Sequence, residues 1–282
     1  MLDLRFILRV SRPRFWFYLF GPYLVGTVAG VSDRNEIVSW CTLLFGIYFL
    51  LPANLLVYGV NDIFDYETDR LNAKKMGYET LVEPRRAGKL YIWIAALNLP
   101  FAIAAAFVLP ASALLSLLVF LLLSVFYSAT PIRAKSKPVL DSIFNVLYVM
   151  PGVVSYSTTT GELPPVQPLI ASGLWTMAMH AYSAVPDIEA DREAGLSTIA
   201  TFLGAYPTIG LCFILYAASA FLAADYLNST AVLIGAGYLV LMLASVRSAQ
   251  TGRLFKLYRA FPAINVLAGF AIFWHIAINK FL

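Results

Sequence analysis

Two stretches of this chain, Ile37 to Val60 and Ala113 to Phe126, contain no charged residue at all. A helix of roughly 20 such residues crosses the hydrocarbon core of a bilayer. Inside that core every backbone N–H and C=O has to be satisfied within the protein. The remainder of the sequence is of the same kind. Of its 282 residues 60% are hydrophobic and only 13% charged, and the mean hydropathy is +0.75. This composition excludes a soluble globular chain and predicts an all-α, polytopic membrane protein of about nine transmembrane helices. The spans are expected at 15–31, 37–60, 91–108, 113–127, 139–157, 167–185, 205–224, 231–246 and 261–279, in a single integral membrane domain over 1–282. The basic N-terminal segment with Arg5, Arg9, Arg12 and Arg14 is read as the approach to the first span, not a cleaved secretory signal. Cys41 and Cys212 fall in different apolar segments and are read as packing residues.

The charges divide by side. If the spans alternate, all but Arg34 and Lys280 of the 20 Lys and Arg residues fall on one side of the membrane. This positive-inside pattern places the N-terminus and the longer connecting loops in the cytoplasm of a multi-pass cell-membrane protein. The opposite connections, such as Ser32 to Glu36 and Asp225 to Thr230, are short. Gly21, Gly26 and Gly30 in the first span, and Gly235 and Gly237 in the eighth, are expected to let helices approach closely.

The carboxylates are harder to explain by topology alone. Asn61-Asp62-Ile63-Phe64-Asp65-Tyr66-Glu67-Thr68-Asp69 stands at the cytoplasmic end of the second span, and Asp187-Ile188-Glu189-Ala190-Asp191 at the end of the sixth. Asp62, Asp65 and Asp69 are three and four apart, so a helix would align them on one face, and Asp187 and Asp191 repeat the i, i+4 spacing. Dense carboxylates at the end of a membrane helix are costly unless a cation neutralises them. Two such clusters of hard oxygen ligands suit Mg2+ bound to a phosphate or diphosphate, because Mg2+ takes one or two carboxylates per ion plus water and substrate oxygens. Capping explains one or two of these residues but not the set.

Other polar residues line up with the clusters. Asn54, Tyr58, Asn61 or Asp62, Asp65 and Asp69 form a stripe from within the membrane to its cytoplasmic face, which must look into protein or a wet cavity. His180, Ala184, Asp187 and Asp191 are predicted to share a second face. Asp141, Asn145 and Tyr148 form a third stripe, with Asp141 near the membrane edge and Asn145 deeper. Tyr127-Ser128-Ala129-Thr130-Pro131-Ile132-Arg133-Ala134-Lys135-Ser136-Lys137 supplies Arg133, Lys135 and Lys137 as donors for phosphate oxygens, with Arg85 and Arg86 as a second source. Topological anchoring explains any single one of these cations equally well. No nucleotide-binding glycine motif or serine nucleophile elbow is present.

At the two aspartate clusters the chain resembles the UbiA superfamily of intramembrane prenyltransferases. The pattern N-D-x-x-D-x-x-x-D is matched by Asn61, Asp62, Asp65 and Asp69. The second, D-x-x-x-D followed by Gly and Thr, is similar to Asp187, Asp191, Gly195 and Thr198. Arg12-Pro13 before the first span is also family-like. The resemblance implies nine helices around a central cavity, with cytoplasmic loops over it and an opening to lipid. It implies that Mg2+, held by Asn61, Asp62, Asp65 and Asp69 and by Asp187 and Asp191, binds an isoprenyl diphosphate. Tyr127, Arg133 and Lys135 would steady the diphosphate and the allylic cation, while Asn54, Tyr58, Asn145 and His180 are expected along the substrate pocket. The runs around both motifs look most like the lycopene elongase branch, which adds C5 units from dimethylallyl diphosphate to lycopene. The chain departs from that branch at Asn72-Ala73-Lys74, where Asn-Pro-Arg is expected.

The partners expected are therefore the lipid bilayer, an isoprenyl diphosphate and a lipophilic acceptor, with no nucleic acid. An aromatic or quinone precursor such as 4-hydroxybenzoate or a naphthoate is the alternative acceptor. The predicted spans lack the Lys or Arg that a buried carboxylate wants, although Arg12 or Arg14 at the edge of the first span offers one. A cation-coupled transporter is the reading from another class, but its carboxylates belong near the midplane. A CDP-alcohol phosphotransferase would need a D-G-x-x-A-R pattern that the chain lacks.

Overall fold

The computed structural model describes residues 4–66, 70, 80–251 and 253–282, and these are helical with short connections. In chain order the helices are α1 (Leu4–Val10), α2 (Phe17–Gly30), α3 (Trp40–Leu50), α4 (Pro52–Phe64), α5 (Pro84–Val108), α6 (Ala111–Phe126) and α7 (Leu140–Ile143). There follow α8 (Met150–Thr160), α9 (Val166–Ala184), α10 (Ile188–Glu193), α11 (Ile199–Leu203), α12 (Ala205–Gln250), α13 (Leu254–Tyr258) and α14 (Phe261–Phe281). The chain forms two compact units, one of residues 1–133 with 150–163 and the other of 134–149 with 164–282.

In the first unit α4 is the enclosed helix: Pro52 through Val60 are all buried. The expected single span 37–60 is broken at Leu51, because Pro52 has no N–H to continue the helical ladder. The side chain of Asn54 repairs the break, its amide nitrogen donating to the carbonyls of Phe49 and Leu50, both at 2.9 Å. Asn98 on α5 donates to the Pro52 carbonyl at 3.1 Å. Helices α2 and α8 cross at small residues. A Cβ on Gly26 would stand 2.0 Å from the Gly152 carbonyl oxygen, and one on Gly30 2.0 Å from Thr159 Oγ1. Thr27 and Ser155 share a hydroxyl hydrogen bond at the same crossing. The packing expected of Gly26 and Gly30 is thus present, whereas Gly21 has open space beside it.

In the second unit α9 packs on both arms of α12. Ser219 Oγ donates to the Ala171 carbonyl at 2.7 Å in the first arm. Tyr182 and Ser245 share a 2.8 Å hydroxyl hydrogen bond in the second. The 46 residues of α12 are not one rod. A continuous helix would hold Tyr216 and Tyr238 roughly 30 Å apart at 1.5 Å per residue, yet their rings stack at 4.4 Å. The chain reverses at Asn228, whose φ of 47° and ψ of −129° are non-helical. Close approach at Gly235, where a Cβ would lie 2.4 Å from Ala220 Cβ, permits the tight hairpin; Gly237 has open space. The helical stretches expected at 205–224 and 231–246 are therefore the two arms of α12, which meet at the reversal at Asn228.

Among the described residues four helical segments are long and apolar enough to cross a membrane: Trp40–Phe64, Pro84–Val108, Ala205–Gln250 and Leu254–Phe281. The other expected spans are shorter, interrupted or more polar. The region 139–157 departs furthest from a single helix, forming α7, a 3₁₀ turn Phe144–Tyr148 and then α8. Pro151 lacks the N–H that Leu147 would need, and Asn145 donates its amide nitrogen to the Asp141 carbonyl at 2.6 Å, favouring tighter turns. Large apolar side chains such as Phe107, Phe221 and Leu233 are exposed along the long helices. Such faces suit contact with lipid, and the chain is a multi-pass membrane protein.

Candidate active site

The first motif stands where α4 ends. Asn61 and Asp62 lie in its last turn, while Asp65 follows the final residue Phe64 with φ −106° and ψ 5°. The helical face expected to carry all the aspartates stops there, so Asp65 leaves the helical course, and Asp69 lies outside the described residues. Asp62 is only 2% and Asp65 6% exposed. Arg12 Nη2 donates to Asp62 Oδ1 at 2.7 Å. The Arg12 guanidinium also stands 4.8 Å over the ring of Tyr58, which is buried on the same helix. Arg12 takes up a left-handed conformation, φ 52° and ψ 70°, immediately before Pro13. A non-glycine residue there is strained by about 1–3 kcal/mol, and a residue preceding proline prefers extended backbone. That strained turn delivers the guanidinium to Asp62.

Asn61 connects the motif to the cationic segment. Its Oδ1 accepts a 2.9 Å hydrogen bond from Ser128 Oγ. Ser128 is buried, one residue beyond Tyr127, the cap of α6. The turn continues to Arg133, whose N–H donates to the Ala129 carbonyl at 2.8 Å and whose φ is 44°. Within the first unit, Asn61, Asp62, Tyr58 and the Tyr127–Arg133 turn are therefore drawn to one end of α4. Asn54, expected along the pocket, uses its amide nitrogen within the chain at the α3–α4 break.

In the second unit the second motif follows α9. Pro186 lacks an N–H for the Tyr182 carbonyl, which accepts from Val185 instead, and a 3₁₀ turn Val185–Asp187 follows. The face expected to run unbroken from His180 to Asp191 is interrupted there. Asp187 precedes α10, but its side chain does not cap it. Asp187 and Asp191 are half-buried. The segment closes through Gly195 at φ 69° and the capping of α11 by Thr198 and Thr201. Lys135 in this unit is buried. Asp141, expected near the membrane edge, is fully enclosed in protein and stands 3.4 Å from His180 Nε2. His180 and Asn145 thus both contact Asp141, one its carboxylate and the other its carbonyl.

Among the described residues no group of three or more His, Cys, Asp or Glu side chains comes together. The described carboxylates, Asp62 and Asp65 in one unit and Asp187 and Asp191 in the other, suit a hard cation that binds one or two carboxylates and fills its remaining positions with water and phosphate oxygens. The donors present are oxygen-only and partly buried, as Mg2+ requires.

Residues 19–277 match the UbiA prenyltransferase family. The chain belongs to that family. It is 43% identical over 220 residues to a lycopene elongase/hydratase of Haloarcula japonica, covering 77% of this chain and 74% of that protein. To the lycopene elongase/hydratase of Halobacterium salinarum it is 39% identical over 273 residues, 94% of each chain. In structure it is similar to a UbiA homolog from Archaeoglobus fulgidus bound to GPP and Mg2+, with a TM-score of 0.69 at 23% identity, covering 95% of this chain and 99% of that one. The protein is a UbiA-family prenyltransferase, and its helical fold is UbiA-like. Sequence reading alone did not select Ser128 or assign Arg12 to Asp62. The signals were there, a serine beside Tyr127 and an Arg-Pro pair before the first span, but neither reveals its partner.

Proposed function

We propose that this UbiA-family protein transfers an isoprenyl group from an allylic diphosphate, dimethylallyl diphosphate in the first instance, to lycopene or a related carotenoid. The reaction depends on Mg2+ and takes place at the cytoplasmic side of the cell membrane, with 1–282 acting as one catalytic domain. The observation that carries the reading is the end of α4. Two nearly buried carboxylates stand there beside a hydrogen bond that ties Asn61 to the Tyr127–Arg133 turn. The similarity to lycopene elongase/hydratases along nearly the whole chain supports the acceptor.

In this reading Asn61, Asp62, Asp65 and Asp69 hold one ion, and Asp187 and Asp191 the other. Bound Mg2+ supplies the positive charge that a departing diphosphate needs. Arg133 and Lys135 add cationic donors to the diphosphate oxygens, and Tyr127 offers its ring face to the allylic cation. The allylic C–O bond breaks with its electron pair on the diphosphate. A carbon–carbon double bond of the acceptor then supplies the pair for the new C–C bond, and the acceptor cation either loses a proton or takes up water, which releases one. Two observations support an apolar acceptor. Arg12 is paired with Asp62, and helices α4, α6, α8 and α9 contain no Lys or Arg to receive an aromatic carboxylate.

The test uses membranes containing the full chain, supplied with lycopene and dimethylallyl diphosphate. Products heavier by one or two isoprene units, lost on EDTA treatment and restored by Mg2+, are expected. Prenylation of 4-hydroxybenzoate or a naphthoate in the same membranes, with lycopene untouched, would replace the carotenoid acceptor by the aromatic one.

A further inference from the structure

Asp141 belongs to neither aspartate motif, yet it is completely buried. Its Oδ1 accepts the Ser142 N–H at 2.9 Å, and its Oδ2 accepts the Ile199 N–H at 2.8 Å. His180 Nε2 stands 3.4 Å from that same Oδ2. His180 lies on α9, in the last turns before the second motif, and Ile199 opens α11 directly after it. One carboxylate therefore touches both flanks of the segment that carries Asp187 and Asp191. Two residues earlier Val139 adopts φ 74°, a conformation that a β-branched residue rarely accepts. A buried carboxylate is costly unless hydrogen-bonded, and a left-handed valine is strained. Generic packing of an apolar segment calls for neither.

We propose that Asp141 is a positioning residue for the second motif, fixing the separation of its flanks so that Asp187 and Asp191 hold their carboxylates ready for metal. The proposal rests on the reading of those aspartates as Mg2+ ligands. Asp141 itself acts through the backbone of Ile199 and the ring of His180 and needs no contact with substrate. The role parallels outer residues that orient the ligands of a metal site, whose loss weakens metal affinity by about 10- to 100-fold.

The test combines two ways of removing one bond. D141N keeps the shape but cannot accept from both backbone donors without facing one of them with its own N–H. I199P deletes the donor at the first position of α11, where proline is well tolerated, and Thr198 already has the extended backbone that precedes proline. I199A is the control, losing the side chain but keeping the N–H. Two readouts are taken on the full-length protein: the Mg2+ concentration giving half-maximal diphosphate turnover, and the rate of tryptic cleavage at the exposed Arg192. D141N and I199P are expected to raise the half-saturating Mg2+ about tenfold or more and to speed cleavage at Arg192, with I199A close to wild type. Wild-type Mg2+ dependence and wild-type trypsin resistance in folded D141N and I199P would overturn the proposal. If D141N fails to fold, the contrast between I199P and I199A decides it. Were the wild-type chain to show no Mg2+-dependent turnover, the metal reading would fall, and the cleavage rates would still report whether Asp141 anchors the segment.

Discussion

The two aspartate motifs are built differently. The first ends a buried helix, and side chains distant in sequence secure it: Arg12 on Asp62 and Ser128 on Asn61. The second lies on a 3₁₀ turn and a six-residue helix, its aspartates half-buried, and its flanks are secured by the Asp141 carboxylate. The first motif thus carries a neutralising cation from its own chain. The flanks of the second are held from outside the motif by a buried carboxylate. Removing metal leaves Arg12 balancing one buried carboxylate of the first.

The largest effect is expected from D65A. It deletes a carboxylate that is almost enclosed at the end of α4, and turnover of the isoprenyl diphosphate should fall about 1000-fold. D191A should follow at about 100-fold, with part of the loss recovered at high Mg2+, because its half-exposed position lets water replace the lost ligand. Equal losses that Mg2+ cannot repair in either variant would remove the distinction between the motifs. R12A leaves Asp62 buried without its partner, at a stability cost of up to about 3 kcal/mol. Thermal unfolding in detergent should show a lowered midpoint in EDTA and a smaller deficit with Mg2+ and a diphosphate present. A deficit indifferent to Mg2+ would mean that Asp62 does not meet the metal. S128A should be mildest, since a neutral hydrogen bond is worth about 1 kcal/mol. Turnover is expected to drop about fivefold, chiefly through a raised KM for the diphosphate.

How much of this was readable in the sequence depends on the range of the interaction. Asp62 and Asp65 announced themselves because carboxylates beside a long apolar run need a counter-charge. The hairpin at Asn228 was visible as a polar interruption between two apolar stretches. Pro52 was equally visible, but the apolar residues around it carried the expected span straight through the break. The pairing of Arg12 with Asp62 was hidden, since it depends on a left-handed residue that no local preference predicts. The enclosure of Asp141 was hidden for a related reason, since it takes the return of α9 and α11 to bury that carboxylate. The stripe of Asp141, Asn145 and Tyr148 presumes a helical repeat through a region that the structure folds as short helix and 3₁₀ turn, and the face from His180 to Asp191 crosses the 3₁₀ turn at Val185–Asp187.

The most direct measurement is to express the full chain in a lycopene-accumulating bacterium, beside D65A at equal membrane abundance, and to analyse the pigments by mass spectrometry. Carotenoids heavier than lycopene by isoprene units, with or without added water, are predicted for the wild type and should be missing with D65A. Unchanged lycopene in both, or the heavier pigments persisting with D65A, would contradict the account.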